Sequence, residues 1–247
     1  MALLSHETWT PPALDTAISA TLLTRADTEG LATVRLFVPD RAVVFGRQDA
    51  VRPGFADAVA AARSAGFAPV LRLAGGRAAV FHEGTVAVSI AEPTAYPREE
   101  IRERFVAVAG VIATALRSLG ADARVGEVPG EYCPGEYSVN LGGTHKVAGL
   151  GQRLRRGGAH VGGVVVVDDA ETINAVLVPV YDALGYDWDP GTTGALGSVL
   201  TPAMVIEAVV AALGETGAAL TPGTIADDVV QDARSHLDDH SLTDRVA

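Results

Sequence analysis

The feature that most constrains the fold is a near-continuous apolar run at residues 161–167. A strand without alternation between apolar and polar residues is typical of the interior of a sheet that is covered on both faces. Residues 98–119 give the clearest helical pattern, because apolar residues recur on one helical face and Gly120 follows the last of them. Strands interrupted by few helices predict an α+β (mixed α/β) fold built on one main sheet.

Shorter patterns predict the remaining elements. Apolar residues at helical spacing indicate helices, and alternating or short apolar runs indicate strands. A hairpin is expected over residues 31–46, and a second pair of strands around the Glu83-Gly84 turn. The other expected elements are helices at 14–24 and 55–65, a strand at 70–73, paired strands at 78–81 and 86–90, strands at 137–141 and 146–150, and tail helices near 202–213 and 225–237.

Composition excludes several classes of protein. The 247 residues carry 19 basic and 30 acidic side chains, a net charge of −11, which should repel nucleic acids and anionic membranes. No basic stripe with interleaved aromatics is present, and no apolar stretch is long enough to span a bilayer. No basic stretch precedes an apolar run at the N terminus, so we expect no signal peptide and a cytoplasmic location.

Cysteine and histidine usage excludes two kinds of stabilising centre. Cys133 is the only cysteine, so an internal disulfide is impossible. The six histidines lack the spacing of metal ligands, and no zinc site is predicted. His6, His236 and His240 lie near the ends of the chain, where we expect them to be solvated.

The basic residues are unevenly divided between two types. Eighteen of the 19 are arginine, and only Lys146 is lysine. Lysine is a compact charge on a flexible stem, whereas arginine presents a broad fork that stays charged. Lys146 is therefore either a lysine that survived on the surface or a position that arginine cannot fill.

Cys133 lies in the segment Glu131-Tyr132-Cys133-Pro134-Gly135-Glu136, which reads as a turn. A lone cysteine is usually an inert, buried apolar residue. Neighbouring carboxylates raise the pKa of a thiol, so a reactive thiolate here needs a cation from elsewhere. If strands 137–141 and 146–150 form a hairpin, Lys146 comes to face Cys133.

Three segments rich in glycine could approach a ligand. They are Phe45-Gly46-Arg47-Gln48, residues 72–77 around Gly75-Gly76, and residues 142–149. Backbone N–H groups in such segments can bind anionic oxygens, but the segments can equally be tight turns between strands. None matches the phosphate-binding loop or the dinucleotide-binding turn.

Together these segments resemble the biotin/lipoate protein ligase superfamily, and within it the lipoate-protein ligase A and octanoyl/lipoyl transferase branch. The resemblance covers roughly residues 10–170, and its strongest motif is Lys146-Val147-Ala148-Gly149 with Gln152-Arg153. The resemblance implies a biotinyl/lipoyl protein transferase-type fold, a curved mixed sheet flanked by helices like that of class II aminoacyl-tRNA synthetases. The remaining motifs, in chain order, are Leu14-Asp15, Val43-Val44-Phe45-Gly46-Arg47-Gln48 and Leu71-Arg72-Leu73-Ala74-Gly75-Gly76.

Departures from the family patterns favour the transferases. ATP-dependent ligases carry Arg-Arg-x-Ser-Gly-Gly-Gly, where this chain has Leu71, Ala74 and Arg77 in place of the first arginine, the serine and the third glycine. A side chain at the third glycine would crowd a nucleotide phosphate. Cys133-Pro134-Gly135 is similar to the segment of the thioester-forming transferases, including amidotransferases that move octanoyl between lipoyl domains. Thr144-His145 stands where that branch often has a further lysine.

The resemblance implies a set of roles. Cys133 would carry an octanoyl or lipoyl group as a thioester, and Lys146 would lower its pKa and hold the acyl carbonyl. Backbone N–H groups near Gly75-Gly76 would stabilise the oxyanion, and the acyl chain would occupy an apolar tunnel. The catalytic residues are thus Cys133 and Lys146, and the substrate-binding residues are Arg47, Arg72, Gly75, Gly76, Ala148, Gly149 and His160.

The partners implied are lipoyl carrier domains, on E2 subunits or the glycine cleavage H protein. No metal site is expected, and no cofactor is assigned beyond the octanoyl or lipoyl group as substrate. Residues 1–200 would form the catalytic domain, and 201–247 a helical extension of the same domain, in a monomer. One alternative is an ATP-dependent lipoate-protein ligase acting through lipoyl-AMP, for which ATP and Mg²⁺ would be needed. A second alternative is a non-catalytic protein that binds lipoate or a lipoyl domain.

Overall fold

The computed structural model describes residues 1–4 and 8–242 and contains two sheets flanked by helices. His6 lies outside the described residues. The helices are α1 (Ala13–Glu29), α2 (Phe55–Ser64), α3 (Ile101–Ser118), α4 (Ala170–Leu184), α5 (Pro202–Glu215) and α6 (Asp227–Ser235). The strands are β1 (Ala2–Leu4), β2 (Thr33–Phe37), β3 (Ala42–Phe45), β4 (Ala68–Leu71), β5 (Ala79–Phe81), β6 (Thr85–Pro93), β7 (Ala123–Val125), β8 (Val139–Leu141), β9 (His145–Leu154), β10 (Gly158–Val166) and β11 (Thr221–Gly223).

The larger sheet has eight strands in the order β11-β1-β2-β6-β10-β9-β8-β7. Its central strand β10 pairs antiparallel with β6 and β9, which confirms the buried strand expected at residues 161–167. Successive side chains of a strand point to opposite faces of the sheet, so the two faces of β6 pack against different helices. Val86, Val88 and Ile90 pack with α3 and α5, whereas Ala91 packs with α1 and α6.

The smaller sheet has the order β4-β3-β5 and packs with α2 and α4. Two pairings expected from the sequence are therefore wrong, and the expected main sheet, of eight strands, is accompanied by this second, smaller one. β2 pairs with β6 and β1, while β3 pairs with β4 and β5, so residues 31–46 do not form a hairpin. Likewise β5 and β6 lie in different sheets. Adjacent strands in sequence usually pair, but here the chain crosses between sheets at Pro39-Asp40 and again at Glu83-Gly84.

Helix α4 was not anticipated from the sequence, although its ends carry recognisable signals. The Asp169 carboxylate accepts a hydrogen bond from Thr172 N–H at 3.1 Å, which caps the first turn. Gly185 ends the helix in the left-handed conformation with φ 65°. Pro179 lies inside the helix and weakens the helical pattern.

The last elements pack against the rest of the fold. Helix α5 packs on α3, α6 packs on α1, and β11 pairs with β1. His240 is buried and its Nδ1 lies 2.8 Å from the Leu71 carbonyl, so its expected solvation is wrong, whereas His236 is exposed. Over the residues that the structure describes, no helix is both long and apolar enough to cross a membrane.

Candidate functional site

The cysteine-bearing loop between β7 and β8 is organised by Glu131, which is 2% exposed. One carboxylate oxygen accepts a hydrogen bond from Val128 N–H at 2.9 Å. The other accepts from Gly135 N–H at 3.0 Å and from the Ser138 hydroxyl at 2.5 Å. Glu131 therefore closes the loop from both sides of Cys133. Sequence reasoning treated this carboxylate only as a neighbour of the thiol and missed its structural role.

Lys146 extends from β9 beneath the same loop and is 1% exposed. Its ammonium donates to Glu131 Oε1 at 2.9 Å, to the Tyr132 carbonyl at 3.0 Å and to the Cys133 carbonyl at 2.7 Å. The hairpin of β8 and β9 thus brings the only lysine to the only cysteine, as expected from their spacing. Three bonds use all the protons of an ammonium, so Lys146 holds the loop rather than donating to the sulfur.

The space around Lys146 explains why this position is lysine in a chain rich in arginine. A Cβ at Gly149 would lie 3.1 Å from Lys146 Cε and 3.3 Å from its Nζ. The stem is therefore enclosed on the side of β9 that faces the loop. A guanidinium is broader than an ammonium and would not fit there without displacing the loop. The interpretation of Lys146 as a surviving surface residue is wrong.

The sulfur of Cys133 receives its hydrogen bond from the loop that follows β4. Arg77 N–H lies 3.1 Å from Sγ, and Arg72 Nη1 lies 3.9 Å from Sγ. Gly76 has φ 116°, and a Cβ there would lie 2.6 Å from Arg72 Nη1 and 3.0 Å from Sγ. Only glycine therefore allows this close approach. The contact of Arg77 with the sulfur is made by its backbone N–H, so the types of side chain in the sequence could not reveal it.

The backbone of Cys133 is held in an unusual conformation. Its φ of 43° is in the left-handed region, which residues with a Cβ rarely adopt. Cys133 N–H donates to the Tyr181 hydroxyl at 2.9 Å, and that hydroxyl donates to the Ala78 carbonyl at 3.0 Å. Burial raises the pKa of Tyr181, so the phenol keeps its proton. Tyr181, on the unanticipated helix α4, thereby fixes the loop.

The Phe45-Gly46 segment supports the Gly75-Gly76 loop from behind. A Cβ at Gly46 would lie 1.8 Å from the Gly76 carbonyl oxygen, so the two backbones are in direct contact. Asp49 accepts from Gly46 N–H at 2.7 Å and from the Tyr186 hydroxyl at 2.8 Å. Two of the glycine segments noted in the sequence are therefore one packed unit.

Two cavities meet beside this unit. The smaller, of about 300 Å³, is lined by Cys133 and Lys146, and the larger, of about 650 Å³, is mostly apolar and partly open to solvent. Arg72, Phe81 and Gly163 line both, so the cavities adjoin. The larger cavity lies between the sheets and α1, and its polar lining residues include Ser19, Ser89 and His160.

The structure gathers some of the expected site residues and separates others. Members of the first group line one of the two cavities or, in the case of Gly76, lie against the sulfur of Cys133. They are Cys133, Lys146, Arg72, Gly76, Gly149 and His160. The second group lines neither cavity. Gly75 N–H donates to the Gln152 carbonyl at 3.3 Å, Ala148 is buried in the core, and Arg47 is exposed. Across residues 1–4 and 8–242, no group of three or more His, Cys, Asp or Glu is placed to hold a metal ion.

Comparison with known proteins finds relatives named as octanoyltransferases and as a lipoyltransferase. An octanoyl-[GcvH]:protein N-octanoyltransferase of Geobacillus kaustophilus is 34% identical over 62% of this chain and 54% of its own length. The transferase of the same name from Exiguobacterium sibiricum is 30% identical over 85% of this chain and 81% of its own. The matched region thus spans about half the length of the first of these relatives.

Solved structures share the fold. A putative lipoate protein ligase from Thermoplasma acidophilum with bound lipoic acid superimposes with a TM-score of 0.77 at 19% identity, covering 96% of this chain and 94% of that one. The expected class of fold is confirmed. Residues 11–188 match the lipoyl protein ligase A/B catalytic domain. That match takes in the cysteine loop, Lys146 and all three glycine-rich segments, and the chain belongs to the lipoyl protein ligase A/B catalytic domain family.

Proposed function

We propose that this chain is an acyltransferase that moves an octanoyl or lipoyl group onto the lysine of a lipoyl carrier domain through a thioester on Cys133. The observation that carries the proposal is the position of Cys133 Sγ, 3.1 Å from Arg77 N–H at the cavity that adjoins the larger apolar one. A nucleophile in that place can meet the carbonyl of an acyl chain that lies in the larger cavity.

The site supports a two-step transfer. The thiolate of Cys133 attacks the acyl carbonyl, a tetrahedral oxyanion forms, and its collapse leaves the thioester and expels the donor group, which takes up the proton that the thiol released. The amine of the acceptor lysine then attacks the thioester, Cys133 departs as thiolate, and the proton that the new amide nitrogen loses returns the cysteine to a thiol. Arg77 N–H donates to the sulfur at 3.1 Å, and the Arg72 guanidinium lies 3.9 Å from it, so both face the atom that attacks. Among the described residues, Gly76 N–H has no acceptor, which leaves it available to the oxyanion.

The donor and acceptor follow from the relatives. The names of the related transferases specify octanoyl-[GcvH] as donor and a protein as acceptor. We propose the same donor for this chain, with E2 lipoyl domains as acceptors. The net charge of −11 gives no general attraction for an acidic carrier, so docking would depend on local basic groups. The exposed Arg153, Arg155 and Arg156 form one such group, although Arg155 also pairs with Asp27 at 3.1 Å.

Intact-mass measurement tests the thioester. We expect the protein incubated with an octanoylated H protein to gain the mass of one octanoyl group, and hydroxylamine to reverse the gain. The Cys133→Ala variant should keep its fold, gain no mass and transfer no octanoyl group. Cys133→Ser is the matched control, because an ester on serine resists hydroxylamine better than a thioester does.

The same experiment separates the ligase alternative. An ATP-dependent ligase needs Lys146 but not Cys133, so full transfer by Cys133→Ala in the presence of ATP and lipoate would refute the thioester route. Wild-type protein that binds lipoate yet transfers nothing from any donor would instead support the non-catalytic alternative.

A further inference from the structure

Beside the cysteine loop, arginine side chains gather around one aromatic ring. The guanidinium carbons of Arg52 and Arg77 each lie 4.3 Å from the centre of the Tyr186 ring. Arg77 is also the residue whose backbone N–H lies 3.1 Å from Cys133 Sγ, so its guanidinium is within one side-chain length of an atom that contacts the sulfur. Two positive charges therefore lie close to the thiol.

A third arginine, Arg47, joins this group, and we call Arg47, Arg52 and Arg77 the arginine patch. Arg47 directly follows Gly46, whose backbone packs against the carbonyl of Gly76, the residue before Arg77. Arg47 is exposed, and the other two members of the arginine patch are partly exposed. All three residues therefore have surface that a partner can contact.

The guanidiniums of Arg47 and Arg77 have no carboxylate partner. Over residues 1–4 and 8–242, neither of them forms an ion pair or a hydrogen bond. The Asp49 carboxylate feels the charge of Arg77, but it is 0% exposed. Its oxygens already accept from Gly46 N–H and from the Tyr186 hydroxyl. Both guanidiniums are therefore available to a carboxylate from outside, which they can bind through their fork of N–H donors.

The charge of the arginine patch contrasts with that of the whole chain. The net charge of −11 repels an acidic partner at long range. Exposed carboxylates occur near the site at Glu136 and Asp187, and in the described part of the chain neither forms an ion pair with the arginine patch. Local positive charge beside the thiol therefore favours one orientation of an acidic partner over the others.

The transfer reaction brings a partner to this place. In its second step the lysine of a folded carrier must reach the acyl carbon on Cys133. The carrier surface around that lysine must then lie against the residues that surround Cys133, and Arg77 is one of them. The first step requires the same approach by the donor carrier.

We propose that the arginine patch is the docking surface for lipoyl carrier domains, and that it binds carboxylates that the carrier presents close to its acceptor lysine. The proposal rests on the proposed function, because it takes Cys133 as the residue that carries the acyl group. It adds which surface of this chain the carrier contacts and which chemical groups the carrier presents there. The same surface receives the donor and the acceptor in turn.

Calorimetric binding of an apo H protein at low ionic strength measures docking without any transfer step. We expect Arg47→Glu to raise the dissociation constant roughly threefold to tenfold, because the reversal replaces an attraction by a repulsion. Arg77→Gln keeps the backbone N–H on the sulfur and removes the guanidinium, and it should weaken binding in the same direction by a smaller factor. Added salt should weaken binding of the wild type more than binding of Arg47→Glu. Wild-type protein that binds no carrier overturns the proposal.

Two other arginines supply matched controls. Arg234→Glu makes the same reversal on helix α6, which packs on α1, and it should leave the affinity unchanged. Arg156→Glu makes it in the other exposed basic group and should weaken binding less than Arg47→Glu does. Equal weakening by Arg234→Glu would mean that net charge alone is responsible, and greater weakening by Arg156→Glu would place docking elsewhere. Either result refutes the role of the arginine patch.

Reversing charges on the carrier identifies the partner group and controls for misfolding. Each exposed carboxylate near the acceptor lysine is replaced by lysine in turn. The replacement that meets Arg47 should weaken binding to the wild type and restore binding to Arg47→Glu, which a misfolded variant could not show. If no carboxylate near the acceptor lysine gives this exchange, the chemistry assigned to the partner is wrong.

The outcome is separable from that of the thioester test. A protein that forms the octanoyl thioester but binds the carrier equally well with Arg47 reversed retains the proposed function and loses this inference. A protein whose carrier binding depends on the arginine patch but that gains no mass on Cys133 retains the docking surface and loses the proposed mechanism.

Discussion

Two buried pairs of opposite charge lie beside the two cavities and make different contacts. Lys146 Nζ lies 2.9 Å from Glu131, with side chains 1% and 0% exposed. Arg35 Nη2 lies 2.6 Å from Asp15, with side chains 0% and 9% exposed. The first pair joins a strand to a loop through backbone carbonyls, whereas the second joins β2 to helix α1 through Asp15 and Ser19.

The comparison separates a pair that positions the cysteine loop from a pair that positions residues lining the larger cavity. Replacing a whole buried ion pair by well-packed apolar residues is often neutral for stability, whereas removing one partner is costly. The Lys146 pair fixes the carbonyl of the residue that carries the thiol, and no apolar side chain can do that. The Arg35 pair holds Asp15 and Ser19, which line the larger cavity and not the smaller one that Cys133 lines.

The largest effect is expected from Lys146→Met. Removing the ammonium leaves the buried Glu131 charge uncompensated, which should cost about 3 to 5 kcal/mol of unfolding free energy in urea titrations. The loop should also lose its ties to the Tyr132 and Cys133 carbonyls, and octanoyl transfer should become undetectable in a gel-shift or mass assay.

A second substitution shows which of these losses is electrostatic. Adding Glu131→Gln to Lys146→Met removes the unpaired charge, so much of the stability should return while transfer stays absent. Recovery of transfer in the double variant would mean that Lys146 acts only by neutralising Glu131, and the contrast between the two pairs would fail.

Arg35→Met should affect stability as much and transfer less. We expect a loss of about 3 to 5 kcal/mol from the uncompensated Asp15. The transfer rate per folded molecule, measured at a temperature where both proteins are folded, should fall far less than in Lys146→Met. A loss of transfer equal to that of Lys146→Met would show that both pairs are equally required for transfer, and the contrast between them would fail.

The smallest effect concerns acid stability. His160 is neutral when folded, with its pKa lowered to about 3, and an unfolded histidine titrates near its ordinary value of about 6.5. Between those values the unfolded chain binds a proton that the folded one does not, so stability falls as pH falls. His160→Phe should remove up to about 1.4 kcal/mol per pH unit of that slope in urea titrations from pH 6 to pH 4. Identical slopes in both proteins would show that His160 is protonated when folded.

Local patterns were enough to predict much of the candidate site. The hairpin of β8 and β9 and the spacing of Cys133 and Lys146 placed these two residues side by side, with the ammonium on the Cys133 carbonyl. The long helix α3 and the central strand β10 also followed from periodicity. These features depend on residues close in sequence, or on a run that is apolar throughout.

The remainder depends on contacts between distant segments. The Arg77 N–H that reaches the sulfur has no side-chain signature, and the Tyr181 contact comes from a helix that its internal proline obscured. The separation of β3 and β5 into a second sheet contradicts the usual pairing of neighbouring strands. Arg47 matched a family motif but is exposed. The buried contacts of this segment are made instead by Gly46, which packs on the Gly76 carbonyl, and by Asp49, which accepts from Gly46 N–H.

The left-handed backbone of Cys133 has a consequence for transplanting this chemistry. A conformation with φ 43° is unfavourable for a residue with a Cβ, so a peptide bearing Cys-Pro-Gly would not adopt it unaided. The Tyr181 hydroxyl accepts from the Cys133 N–H, and the Lys146 ammonium donates to the Cys133 carbonyl. Grafting the motif onto another scaffold would therefore require bringing both anchors, from two separate parts of the chain, along with it.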